Sequence, residues 1–216
     1  MIKGAIFDVD GTILDSMAIW EEAGERYLRS IKVEAEPGLS KALAEMTVEE
    51  AAFYMKKMYH LPQREGEIVQ GILDTVRDFY YEEAELKSGV KEVLEELWMK
   101  QIPMVIATSS ERDHLEKAFK RLEIEQYFRK IFTCSEIGIG KTRPDIYLVA
   151  ARHLGSTPQE TLVFEDVIHA VRTANTAGFQ TVGIYDRFSE ADQEEIKKTA
   201  DIYLKDWSEW KEKTHI

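Results

Sequence analysis

The stretch Ile2-Lys3-Gly4-Ala5-Ile6-Phe7-Asp8-Val9-Asp10-Gly11-Thr12 decides how the rest of the chain is read. The run from Ile2 to Phe7 has a strand's length and is almost wholly apolar, the pattern of a strand covered on both faces of a parallel sheet. It ends in two aspartates one residue apart. Period-two geometry sends Asp8 and Asp10 to one side of the strand and Val9 to the other. Carboxylates crowded in this way repel each other unless a cation or a shared proton compensates. Two explanations stand at that point: a divalent-metal site, or a solvated Asp-Gly turn.

Outward from this strand, four more apolar runs have similar length: Pro103 to Ala107, Lys130 to Phe132, Thr161 to Phe164 and Thr181 to Ile184. Amphipathic helix patterns lie between them, at Arg112 to Leu122, Asp145 to Leu154 and Val167 to Ala177, the last stopped by Gly178. Strand alternating with helix implies right-handed parallel crossovers, hence an α/β fold with a Rossmann-like parallel sheet and ligands at the carboxyl ends of its strands. From about Met17 to Glu85 the rhythm changes to successive helices, Met17 to Ser30, Thr47 to Tyr59 and Arg64 to Glu85, with a capping-box pattern at Thr47 and Glu50 and a turn at Pro37-Gly38. The expected organisation is a core of residues 1–15 and 87–216 with a helical domain, 16–86, inserted after the first strand. Beyond Ile184 the pattern predicts a helix over Glu190 to Thr199, an edge strand at Asp201 to Leu204 and a short helix carrying Trp207 and Trp210, which are expected to pack.

Composition narrows the function. The 216 residues hold 40 acidic and 28 basic side chains, a net charge of −12, which disfavours nucleic acid and anionic membrane surfaces as partners. Apolar residues are 44% of the chain, enough for a packed core. No apolar run approaches the roughly 18 residues of a membrane span. Cys134 is the one cysteine, so an internal disulfide and a thiolate metal cluster are excluded and a cytoplasmic location is expected. An anionic small substrate would need local positive charge to overcome the global field. The histidines His60, His114, His153 and His215 have no partner motif and are expected to be structural or solvated; His169, three residues past Asp166, starts a helix near that acid, and a surface or packing role rather than catalysis is expected for it.

Three later segments each place a suitable group just past a predicted strand. Thr108-Ser109-Ser110 offers hydroxyls and N–H groups before a helix, suited to phosphate oxygens. Lys141, in a loop entering a helix, can neutralise transferring charge. Glu165-Asp166 adds two acids at the same edge. In this order the segments resemble the haloacid dehalogenase-like hydrolase superfamily, in particular the subfamily with a helical cap after the first strand, whose members include phosphatases and β-phosphoglucomutase-like enzymes. Asp8-Val9-Asp10-Gly11-Thr12-Ile13-Leu14-Asp15-Ser16 resembles its first motif, Thr108 its second, Lys141 its third and Glu165-Asp166 its fourth. Thr142, where the family often has proline, and Val167 and Ala170 in the fourth motif depart from the pattern.

The resemblance implies a Mg²⁺-dependent phosphohydrolase acting on a small phosphorylated metabolite. It implies that Asp8 attacks phosphorus to give an aspartyl-phosphate, that Asp10 is the general acid and base, and that Thr108 and Lys141 hold the phosphoryl oxygens. Mg²⁺ would be held by Asp8, the backbone carbonyl of Asp10 and Asp166, with Glu165 either a ligand or orienting metal-bound water. Gly11, Thr12, Ser109, Ser110 and Trp20 are the expected substrate contacts. Trp20 is singled out from Met17, Ile19, Phe53, Tyr54, Met55 and Met58, for which ordinary packing is the expectation. A phosphosugar mutase or a pyrophosphatase is the alternative, and a non-catalytic binding module the reading outside enzymes. A monomer or weak homodimer is expected.

Overall fold

A computed structural model describes residues 1–43 and 46–214, so His215 lies outside the described residues. The chain divides into two compact units, Met1–Asp15 with Glu85–Ile216, and Ser16–Ala84.

The first unit is built on a parallel sheet. Among the described residues it has six strands, β1 (Gly4–Phe7), β2 (Met104–Thr108), β3 (Phe128–Thr133), β4 (Thr161–Glu165), β5 (Gln180–Ile184) and β6 (Ile202–Leu204), in the order β3-β2-β1-β4-β5-β6. All five pairings are parallel. The expected α/β class with a Rossmann-like sheet is therefore observed, with the strand order reversing direction at β1. Every residue of β1, β2 and β4 is buried, as continuous apolar runs require. Alternation along each strand supplies two separate packing surfaces. Ile6, Val105 and Val163 face a cluster with Ile146, Tyr147 and Ala150 of the helix Asp145–Leu154. Phe7 and Phe164 stack with ring centroids 4.3 Å apart, and Trp207 lies 5.4 Å from Phe164, so the predicted packing role of Trp207 holds.

Local differences from the sequence reading have physical causes. The stretch Glu190 to Thr199 is not one α-helix: its first residues belong to a 3-10 segment, Arg187–Asp192, whose start Asp186 caps through Phe188 N–H, and the α-helix follows at Gln193–Thr199. β3 starts two residues earlier than its apolar run, since its first half is an exposed edge where polar Arg129 and Lys130 are tolerated.

The second unit is helical: α1 (Ala18–Ser30), α2 (Leu39–Leu43), α3 (Val48–Met58) and α4 (Glu65–Glu82). The short α2 has no clear sequence signal. Thr47 and Glu50 form the predicted capping box at α3, with Thr47 N–H donating to Glu50 at 2.8 Å and Glu50 N–H to Thr47 Oγ1 at 3.2 Å. Ile19 and Met55 are wholly buried in this unit, whereas Trp20, Phe53 and Met58 are nearly half exposed. An open groove of about 1180 Å³ is lined by Lys41, Met46, Phe53, Tyr54, Lys57 and Met58. Among the described residues no helix is long and apolar enough to cross a membrane.

Gly71 of α4 packs directly on the buried Tyr27 ring of α1; a Cβ there would lie 2.2 Å from Tyr27 Cε2. Alanine is the better helix former by about 1 kcal/mol, but here the clash outweighs propensity. Gly71→Ala is expected to lower stability by about 1–3 kcal/mol in chemical denaturation; a gain would show that α1 and α4 are not this close.

Candidate active site

The site follows from strand register. Phe7 pairs with both Ile106 and Phe164, so β1, β2 and β4 end nearly flush and the residues just beyond them meet at one edge. Asp8 N–H still donates to Phe164 O at 3.0 Å, which carries the ladder one step past the strand. The chain then turns sharply: the N–H groups of Thr12, Ile13 and Leu14 all reach the carbonyl of Val9, at 3.2, 2.8 and 2.9 Å. Gly11 occupies the left-handed region at φ +79°, where a side chain would be strained.

Asp8, Glu165 and Asp166 converge at this edge, each offering a carboxylate oxygen within 4.8 Å of the others, and all three are buried. Lys141 enters from the loop after Cys134–Ile137 and donates to both Asp8 Oδ1 and, at 2.7 Å, Glu165 Oε1. Tyr147 OH donates to the same Glu165 oxygen at 2.6 Å. Asp166 accepts from Thr12 Oγ1 at 3.1 Å. Asp10 stands outside the three-acid group and accepts from Ser110 Oγ on Oδ2. Ser110 N–H in turn donates to Thr108 Oγ1 at 3.0 Å, and Ser109 Oγ lies 3.5 Å from Cys134 Sγ. Thus Asp8, Lys141, Glu165 and Tyr147 share one hydrogen-bonded group, the pair Thr12–Asp166 lies beside it, and Asp10, Ser110 and Thr108 form a further chain of contacts. Trp20 belongs to the helical unit.

One buried ammonium serves three buried carboxylates. Burial works against the charge of Lys141, but Asp8 and Glu165 outweigh it and hold the ammonium more firmly protonated than usual. Burial pushes the carboxyls upward. Glu165 rises to about 7, despite Lys141, with Asp8 adding to the rise. Asp166 is raised well above its ordinary range by burial and then by repulsion from Asp8 and Glu165. Asp8 is raised by burial, with Lys141 opposing. A set of close, all-oxygen, incompletely neutralised ligands fits a hard divalent cation, whose charge would supply what the lysine does not.

Sequence reasoning missed four contributors, Tyr147, Trp207, Asp186 and Lys87. Tyr147 sits inside a helix whose apolar periodicity reads as core, and nothing in that pattern signals that its hydroxyl reaches Glu165. Trp207 does pack, yet its indole N–H also donates to Thr12 O at 3.1 Å. Asp186 stands two residues past the end of β5, one further than Asp8 from β1; extending the strand-end rule to the fifth strand would have found it. Its Oδ2 pairs with Lys87 at 2.9 Å. The histidines are peripheral where described: His153 lies edge-on to Phe132, and His169 is exposed.

The chain is similar to known proteins in sequence and in fold. Residues 5–184 match the family model described as haloacid dehalogenase-like hydrolase. A phosphorylated carbohydrates phosphatase of Thermotoga maritima is 26% identical over 182 residues, covering 84% of each chain. A Drosophila melanogaster protein assigned as a pseudouridine-5'-phosphatase is 31% identical over 191 residues, 86% of this chain and 82% of its own. The crystal structure of a Thermotoga maritima protein assigned as a beta-phosphoglucomutase has a TM-score of 0.86 at 23% identity, over 98% of this chain and 99% of that one, a likeness of fold. A family match that runs from the first strand to the end of the fifth shows that this chain belongs to the haloacid dehalogenase-like hydrolases.

Proposed function

We propose that the protein is a Mg²⁺-dependent phosphatase of small phosphorylated metabolites that works through an aspartyl-phosphate at Asp8. The observation that carries this reading is the buried group of Asp8, Glu165 and Asp166 around Lys141 at the strand ends. The related phosphatases support the substrate class.

In this reading an Asp8 carboxylate oxygen forms a bond to phosphorus as the ester P–O bond breaks. Asp10, as the acid, gives its proton to the departing oxygen. Water then attacks the phosphorus of the aspartyl-phosphate and loses a proton to Asp10, releasing phosphate and restoring Asp8. Lys141 offsets charge spreading over the phosphoryl oxygens, held in place by Glu165, which Tyr147 fixes in turn. Thr108 accepts from Ser110 N–H, which leaves its own hydroxyl hydrogen to donate to a phosphoryl oxygen. Asp8, the Asp10 carbonyl and Asp166 would hold Mg²⁺, which supplies further charge neutralisation there. Ser109 offers its backbone N–H to the phosphoryl group, whereas the Gly11 N–H is engaged with Leu14 O at 3.0 Å, and Thr12 and Ser110 orient Asp166 and Asp10. Trp20, half exposed on α1, is the proposed contact to the rest of the substrate. A monomer or weak homodimer in the cytoplasm fits one free cysteine and a strongly acidic chain.

The test is phosphate release from a panel of phosphosugars and nucleoside monophosphates, run beside glucose-1-phosphate isomerisation. Hydrolysis should exceed isomerisation, and Asp8→Asn should lose about a thousandfold or more in kcat while remaining folded. Faster isomerisation than hydrolysis would make the protein a mutase, and an active Asp8→Asn would remove the nucleophile.

The cation requirement has a pH signature. Glu165 rises from an ordinary 4.5 to about 7, so its protonated form favours the fold, and that contribution is full below pH 4.5 and lost as pH rises through 7. In EDTA, stability should therefore fall over this window. Mg²⁺ must displace protons at low pH, so the rise in Tm it produces should be larger at pH 8 than at pH 5. Equal shifts at both would contradict a cation bound among these carboxylates.

A further inference from the structure

The turn that carries Asp10 is fastened from outside at three consecutive carbonyls. Gly11 O accepts from Lys87 Nζ at 2.6 Å, Thr12 O from the Trp207 indole at 3.1 Å, and Ile13 O from Lys87 N–H at 2.8 Å. Lys87 thus grips the turn twice, once by backbone and once by side chain. Its ammonium has three hydrogens and three acceptors: Gly11 O, Tyr185 O at 2.7 Å, and Asp186 Oδ2 at 2.9 Å. The lysine side chain is 18% exposed and that of Asp186 only 4%, so water is poorly placed to replace these bonds.

We infer that Lys87 is a positioning residue for the Asp10-Gly11 turn, fixing the direction of the Asp10 carbonyl and carboxylate through the Gly11 carbonyl. The peptide joining Asp10 to Gly11 is held on one side by Gly11 N–H donating to Leu14 O at 3.0 Å. The next peptide is held by Lys87. That same peptide also donates through Thr12 N–H to Val9 O at 3.2 Å, and Lys87 is the tie from outside the turn that resists its rotation about the left-handed Gly11, which would swing Asp10. Glycine offers no side-chain barrier of its own to that rotation. The ammonium also ties the turn to the carboxyl end of β5, so the first and fifth strands fix one catalytic loop together. The inference rests on the reading of Asp10 as the group that moves the proton.

A rival role for Lys87 is plain neutralisation of buried Asp186, and a charge-balanced pair of substitutions separates the two. Lys87→Met combined with Asp186→Asn removes both charges and leaves the Gly11 carbonyl without its donor. We expect this double variant to melt within a few degrees of the wild type. With p-nitrophenyl phosphate and saturating Mg²⁺, its kcat should fall roughly ten- to a hundredfold with KM changed less than about threefold, as displacement of a reacting group produces. Hydrogen exchange at Gly11–Leu14 should quicken while β1 and β4 stay protected. Lys87→Arg keeps a cation beside Asp186 but replaces a tetrahedral donor with a planar one; it serves if the double variant does not fold, and should also lose kcat. Wild-type kcat and exchange in either variant would overturn the inference and leave the phosphatase reading intact. If the wild-type chain releases no phosphate from any ester, the phosphatase reading falls, and the exchange comparison still decides whether Lys87 holds the turn.

Discussion

The structure depends on the flush ending of β1 and β4. Because Phe7 lies in register with Phe164, Asp8 and the pair Glu165-Asp166 leave adjacent strands at the same height, and three carboxylates enter a space with little water. Nothing local favours that crowding. It is imposed by the ladder hydrogen bonds and by apolar packing on both sheet faces, where Phe7 stacks on Phe164 and Ile6 and Val163 join the opposite cluster. Packing elsewhere thus pays for charge repulsion at the edge, and Lys141 offsets part of it. What remains is an electrostatic deficit that a cation and a phosphoryl group can jointly use.

The same constraint explains why rather few residues suffice. The strand ends deliver the acids, one loop delivers the lysine, and the second strand delivers Thr108 with Ser110 behind it. The remaining groups hold these in place. Tyr147 and Lys141 occupy one oxygen of Glu165, Thr12 orients Asp166, and Lys87 with Trp207 restrains the turn after Asp8. The helical unit starts at Ser16 and ends at Ala84, and at the boundary Asp15 N–H donates to Glu85 O at 3.0 Å. Departure and return are therefore hydrogen-bonded neighbours, which lets a helical insertion sit in the chain without disturbing the sheet.

Much of this is legible in the residues because strands buried on both faces are written as uninterrupted apolar runs, and the polar residue that ends each run marks the functional edge. Asp8, Thr108, Glu165 and Asp166 are found in that way. Contacts between groups distant in sequence are not. Lys87 reads as an ordinary polar residue before a helix, and its three acceptors come from segments 76 to 99 residues away. Tyr147 is invisible for the opposite reason: its ring satisfies helical periodicity so well that its hydroxyl draws no notice. The 3-10 segment before Gln193 depends on Asp186 capping a turn, a competition between side chain and backbone that periodicity does not register.

The most direct test of the account is chemical trapping at Asp8. Borohydride added during turnover of a phosphorylated substrate with Mg²⁺ should reduce an aspartyl-phosphate to homoserine, and peptide mass spectrometry should find that conversion at position 8 alone. Rapid phosphate release with an unaltered Asp8, or with the modification at another carboxylate, would contradict it.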